Sequence, residues 1–187
     1  MAVRIKWNAP VTLTFALLCT TVFIADRFMA GHLMPLFTVY PDIHWSNPFS
    51  VASLISYTMG HASVEHLLGN LTFVLLLGPI VEEKYGSSNL LYMMLLTALV
   101  TGLLCVFVLN IALLGASGIV FMLILLVSFT NVKSGEIPVS FILVAILFIG
   151  KELLHSVEAN QIAESAHIVG GICGSIFGFN FNTRATS

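Results

Sequence analysis

Six apolar stretches, at 11–29, 64–81, 89–110, 116–130, 138–154 and 162–180, take up most of this 187-residue chain. A bilayer crossing needs about 20 predominantly apolar residues in a helix. In hydrocarbon every backbone N–H and C=O must be satisfied within the protein, so a helix is the economical answer for each stretch. Composition agrees: 58% of residues are hydrophobic and only 9% charged, against roughly a quarter charged in soluble domains. The mean hydropathy is +1.00. The chain is therefore predicted to be an all-α polytopic membrane protein, a six-helix bundle forming a single domain over residues 1–187.

Charge orients the bundle. Six spans put both termini on one side, and Arg4, Lys6, Lys84, Lys133 and Arg184 fall there, five of the seven Lys and Arg residues. By the positive-inside rule both termini are expected to be cytoplasmic. The first stretch follows Arg4 and Lys6 as a signal peptide would, but it is long enough to span and reads as the first helix. Cys19, Cys105 and Cys173 lie within apolar segments without metal spacing, so neither a disulfide framework nor a metal site is expected. No cofactor motif and no nucleic-acid signature is present. The one long connection, from Ala30 to about Pro48, carries Tyr40 and Trp45 and is expected to lie in the headgroup region, where such rings partition.

Polar side chains inside the spans are costly, so they point to function. Three clusters stand out. His61-Ala-Ser-Val-Glu-His66-Leu-Leu-Gly-Asn70 opens the second stretch. His66 and Asn70, four apart, share a helix face and present hydrogen-bond donors suited to an oxyanion; alternatively they are interhelical hydrogen-bond glue. Gly115-Ala116-Ser117-Gly118 opens the fourth stretch. A serine there sits beside the unpaired N–H groups and positive dipole end of a helix, although small residues are common in membrane helix interfaces. It is not the Gly-x-Ser-x-Gly elbow of soluble hydrolases, since Ile119 fills the last place. The third cluster is Ala166-His167 followed by Gly170, Gly174 and Gly178, a small-residue ridge for close packing. His167 lies on nearly the same face, where it is either a base, a proton relay or a satisfied core group.

In order and spacing, His61-x4-His66-x3-Asn70, Gly115-x-Ser117-Gly118 and Ala166-His167-x2-Gly170-x3-Gly174 resemble the motifs of the rhomboid intramembrane serine proteases, of the compact six-helix bacterial type. The resemblance runs from about residue 11 to 180, and Val81-Glu82-Glu83-Lys84-Tyr85-Gly86 also looks like the family's pattern. It implies that Ser117 is the nucleophile and His167 the general base, with His66, Asn70 and the Ser117 N–H stabilising the oxyanion. Gly115, Gly118, Gly170, Gly174, Phe121 and His61 would support them. No acidic residue is placed to orient His167, so a dyad is implied. Phe121, four residues after Ser117, is predicted to stack on the imidazole, where many relatives carry Tyr. Ala52-Ser53 stand where family members often have a Trp-Arg pair, which leaves Trp45 as the remaining candidate anchor of the outer loop.

The partners so implied are transmembrane protein substrates and the lipid bilayer, with the site toward the outer face of a bacterial cytoplasmic membrane. His61, Ser63, Glu65 and the 155–161 loop are expected to line a wet outer cavity. The fifth stretch, almost devoid of polar residues, is expected to pack loosely and to gate substrate entry with that loop. A catalytically silent rhomboid-like client binder would keep the fold but normally lack Ser or His. A small transporter or channel would explain the histidines but not the order of motifs. A zinc protease is disfavoured, because His61-x3-Glu65-His66 is not His-Glu-x-x-His. Oligomeric state and substrate identity are not written in the sequence.

Overall fold

Helices lie across all six apolar stretches of the computed structural model, which describes residues 4–130, 136–155 and 161–182. In chain order they are α1 (Pro10–Phe28), α2 (Pro48–Ser56), α3 (Val64–Tyr85), α4 (Ser87–Leu104), α5 (Ser117–Val127), α6 (Val139–His155) and α7 (Gln161–Asn182). Three runs among the described residues are long and apolar enough to cross a membrane: Pro10–Phe28, Val64–Tyr85 and Ser87–Leu109. Two shorter apolar helices, Ser117–Val127 and Ala166–Phe181, stand beside them. Much of the apolar surface stays uncovered, as on Leu76, Phe107 and Leu147. In a bilayer that exposure carries no hydrophobic penalty, because lipid tails are as apolar as the side chains.

Boundaries differ from the expected stretches for local reasons. The fourth is shorter: α5 stops at Val127, and residues 128–130 continue only as turns. The third ends in a wider π-turn over Cys105–Leu109, closed by Asn110 at φ +53. Between α3 and α4 only Gly86 intervenes, at φ +83, a backbone state that glycine reaches without steric cost. The α2 helix was not foreseen; it arises because Asn47 caps it, its side chain accepting the Phe49 N–H at 3.0 Å, with Pro48 at the first position. Most of the connection between the fourth and fifth stretches, and of the loop at 155–161, lies outside the described residues.

The core is built where backbones come close. α5 and α7 form the most extensive helix pair. At Gly170 an added Cβ would collide with the Gly118 carbonyl, and at Gly174 with the Met122 carbonyl. Gly178 is closed over by the Phe129 ring. Between α1 and α3, Gly78 leaves room for the Thr12 side chain; between α2 and α4, Gly102 abuts the Leu54 carbonyl. Around these contacts pack Leu90, Met93, Ile119, Met122, Leu123 and Leu126, all essentially inaccessible.

One carboxylate ties three helix ends together. Glu82, in the last turn of α3, accepts from the Val11 N–H (2.9 Å), the Thr12 N–H (3.0 Å) and the Thr12 hydroxyl (2.8 Å), which are the free donors of α1's first turn. It also accepts from the Ser87 hydroxyl at the start of α4 (2.8 Å). An anion at a helix N-terminus is favoured by both the dipole and the orphan N–H groups. At the other end of α1, buried Asp26 accepts from the N–H groups of Leu33 (3.1 Å) and Met34 (2.8 Å), fixing the entry of the long loop that leads to α2.

Candidate active site

The segment that leads into α5 is held from both sides. Val39, in the loop between α1 and α2, and Leu113 exchange two backbone hydrogen bonds of 3.0 Å, an isolated antiparallel bridge. Two residues on, the Gly115 N–H donates to the Tyr57 carbonyl at 2.9 Å. Gly115 takes φ +117, a conformation costly for any side chain. Ala116 then begins the helix, its carbonyl accepting the Val120 N–H. Ser117 is thus the first residue of α5, half-buried, with the orphan N–H groups of that turn around it.

From α3 comes the opposite wall. Ser63 caps that helix, its hydroxyl oxygen accepting the His66 N–H at 3.1 Å. His66 and Asn70 then face Gly115: a Cβ there would lie 2.7 Å from both Cε1 and Nε2 of His66 and 3.7 Å from Nδ2 of Asn70. The absence of a side chain at Gly115 is what lets His66 reach this position. Asn70 is buried and its amide N–H donates to Nε2 of His61 at 3.1 Å. His61 Nδ1 in turn contacts the Met59 carbonyl at 3.2 Å. A carbonyl only accepts, so the proton sits on Nδ1 and Nε2 is the acceptor. His61 is completely buried, so it is not the wall of a wet cavity that its polar neighbours suggested. Burial, with adjacent His66 adding to it, pushes its imidazole down to about 4, which keeps it neutral. The two rings meet edge to face, 5.0 Å between centroids. Glu65 is fully exposed and stands apart from this chain of contacts.

From α7 comes His167. Its ring stacks on Phe121 with centroids 4.0 Å apart and planes 11° from parallel. Ala166, the residue before it, is buried with its carbonyl 3.3 Å from where a Gly118 Cβ would be. The first turn of α5 therefore stands between α3 and α7, Gly115 against His66 and Asn70, Gly118 against Ala166 and Gly170, Phe121 against His167. These contacts join His61, His66, Asn70 and Gly115 on one side of Ser117 and Gly118, Gly170, Phe121 and His167 on the other, while Gly174 packs further along α5, against the Met122 carbonyl.

Sequence reasoning missed Tyr57. Its carbonyl holds Gly115 and its buried hydroxyl donates to the Ala98 carbonyl at 3.2 Å. Nothing local marks such a residue, because both partners are more than forty positions away. In α2, Ser53 is buried and bonded to the Ser50 carbonyl at 2.7 Å, while Trp45, in the loop before that helix, stacks on Phe107 of the π-turn at 6.1 Å. Among the described residues no group of three or more His, Cys, Asp or Glu side chains is arranged to hold a metal ion.

Comparison with known proteins identifies the family. The family model for the rhomboid domain matches residues 48–184, from the start of α2 to beyond α7. The rhomboid protease GlpG of Haemophilus influenzae is 26% identical over 172 residues, covering 90% of this chain and 89% of that protein. With nearly three quarters of its length matched by the domain model, and its apolar helices as described, this chain is an integral membrane protein that belongs to the rhomboid family.

Proposed function

We propose that this protein is an intramembrane serine endopeptidase that cuts peptide bonds in or near the transmembrane segments of other membrane proteins, with Ser117 as nucleophile and His167 as base. The observation that carries this reading is the locking of Ser117's turn to His167's turn, through Gly118 against Gly170 and Phe121 on His167, while His66 and Asn70 close on Gly115. The similarity to a rhomboid protease supports the same chemistry.

In this mechanism His167 takes the proton from the Ser117 hydroxyl as its oxygen attacks the scissile carbonyl, and the resulting imidazolium protonates the leaving amine. Water then repeats the sequence on the acyl-enzyme. Negative charge on the tetrahedral oxygen is met by the Ser117 N–H at the head of α5, by His66 and by the second amide N–H of Asn70. The first amide N–H is engaged by His61, so His61 is a positioning residue that aims Asn70. Phe121 restricts the rotation of the imidazole in place of an acidic third member. A lost oxyanion donor costs on the order of 3–4 kcal/mol of barrier.

The reading includes six spans with both termini cytoplasmic, and a site opening toward the outer face of a bacterial cytoplasmic membrane. It also includes entry of substrate beside α6, which among the described residues packs on α5 and α7 far less extensively than those two pack on each other. The test is cleavage of a single-span reporter by reconstituted protein. Wild type cleaves it, and Ser117→Ala and His167→Ala do not. Undiminished cleavage by Ser117→Ala overturns the proposal. Undiminished cleavage when α3 and α6 are crosslinked removes α6 as the gate.

A further inference from the structure

Between α1 and α4, against α5, lies a cavity of about 480 Å³, well within the ~300–1,000 Å³ of ligand-binding pockets. Phe15 and Leu18 of α1 form one wall and Leu91 and Leu95 of α4 the other, with Ile119 of α5 at the back. Ile55, Thr58 and Met59, from α2 and the turn after it, close one end; Pro10 and Ser87, at the starts of α1 and α4, frame the opposite end. The lining is almost wholly apolar. From Ser87 to Ala98 the α4 wall spans twelve residues, about 16 Å at the helical rise, close to half of a ~30 Å hydrocarbon core.

Both walls belong to helices fit to cross a membrane, and the groove continues onto their uncovered faces, where Leu18 is 46%, Leu91 46% and Leu95 42% exposed. What fills it therefore comes from the bilayer, not from water. Its framed end is also the basic end of the molecule. Lys84 is in the last turn of α3, three residues before Ser87, and Arg4 and Lys6 precede Pro10 closely. Of the two carboxylates there, Glu82 is buried and turned onto four donors and Glu83 is exposed, so the three cations still outnumber the acids.

We propose that this groove binds one anionic phospholipid, its acyl chain lying between α1 and α4 and its phosphate against Arg4, Lys6 and Lys84. The chain length of one leaflet fits the depth of the groove, and attraction of juxtamembrane cations for anionic lipid fits the charge at its mouth. The site is distinct from the peptidase site but shares two elements with it. Ile119 lies two residues after Ser117, and Met59 supplies the carbonyl that holds His61.

The test is independent of proteolysis. Full-length protein in a neutral detergent is titrated with dioleoyl phosphatidylglycerol, and thermal unfolding and native mass spectra are recorded. The long-chain lipid is expected to raise Tm by roughly 5 °C, as ligands specific to the folded state do, and to remain as one retained copy per chain. Dibutyryl phosphatidylglycerol, with the same headgroup and no long chain, is expected to do neither. Leu91→Trp and Leu95→Phe fill the groove from partly exposed positions. Each is expected to unfold near the wild-type Tm without lipid and to show no lipid-induced rise. Arg4→Gln with Lys6→Gln is expected to abolish the advantage of phosphatidylglycerol over phosphatidylcholine. No rise in wild type, or an equal rise in either folded groove-filling variant, overturns the site. An equal response of wild type to both headgroups overturns its anionic preference.

Discussion

Gly115→Ala probes the catalytic geometry at its tightest point. The new methyl group would lie 2.7 Å from two ring atoms of His66, where ordinary contact begins near 3.4 Å; the difference, 3.4 − 2.7, requires a shift of about 0.7 Å. The backbone at φ +117 adds its own strain, about 1–2 kcal/mol for a residue with a Cβ. For a chain this size that lowers Tm by roughly 2–8 °C, leaving a folded protein. Activity should suffer more than stability, because a displacement near 1 Å of a group contacting the reacting atoms costs on the order of 10²-fold. The assay is kcat and KM on a reconstituted single-span substrate for wild type, Gly115→Ala, His66→Ala and the double variant. If the methyl acts by displacing His66, Gly115→Ala falls about 10²-fold in kcat and the double variant is no worse than His66→Ala. Multiplicative losses in the double variant would refute displacement of His66 as the cause.

Glu82→Gln keeps the shape but removes the charge from a group accepting four hydrogen bonds; it is expected to cost about 2–4 kcal/mol, given ~1.5–3 kcal/mol for a hydrogen bond to a charged group and partial rescue by the amide oxygen. Thermal unfolding checks this, and an unchanged Tm would contradict the three-helix tie. His61 makes a pH prediction. Its folded value is depressed to about 4 below the ordinary ~6.5, so its contribution is complete above pH 6.5, declines as pH falls through that window and is gone below about 4. A difference of about 2.5 in pKa corresponds to roughly 3 kcal/mol. His61→Asn should flatten the fall in Tm between pH 6.5 and 4, and an unaltered pH profile would sink the assignment. Phe121→Ala removes the ring that stacks on His167; kcat is expected to fall about tenfold, from ~0.5–1.5 kcal/mol of stacking, with KM little changed, whereas Phe121→Tyr should retain activity.

Much of the fold was legible because membrane helices advertise themselves by length and apolarity. The Gly170 and Gly174 ridge was equally legible, since spacing by four places small residues on one face and Gly118 and Met122 provide the carbonyls they meet. The Phe121–His167 stack followed from the four-residue step after Ser117 once the two helices were taken as neighbours. Other features depend on pairings that no local pattern encodes. The His61–Asn70 bond joins a loop to a helix nine positions on, and it turns an expected cavity wall into a buried, neutral ring. Tyr57 holds Gly115 through its backbone carbonyl, which any residue type possesses. The α2 helix was hidden because Asn47-Pro48 reads equally as a turn and as a capped start. Glu82 looked like one more charge in a turn, and only the return of α1 beside α3 gave it four donors.

The claim that Ser117 is a nucleophile activated by His167 is tested most directly by covalent labelling. A fluorophosphonate probe is incubated with the folded protein in detergent, and the modified peptide is located by mass spectrometry. The account predicts a single adduct on Ser117, absent in Ser117→Ala and strongly slowed in His167→Ala, while Ser63→Ala labels as wild type does. An adduct on another serine, or labelling of Ser117 at an unchanged rate in His167→Ala, would contradict it.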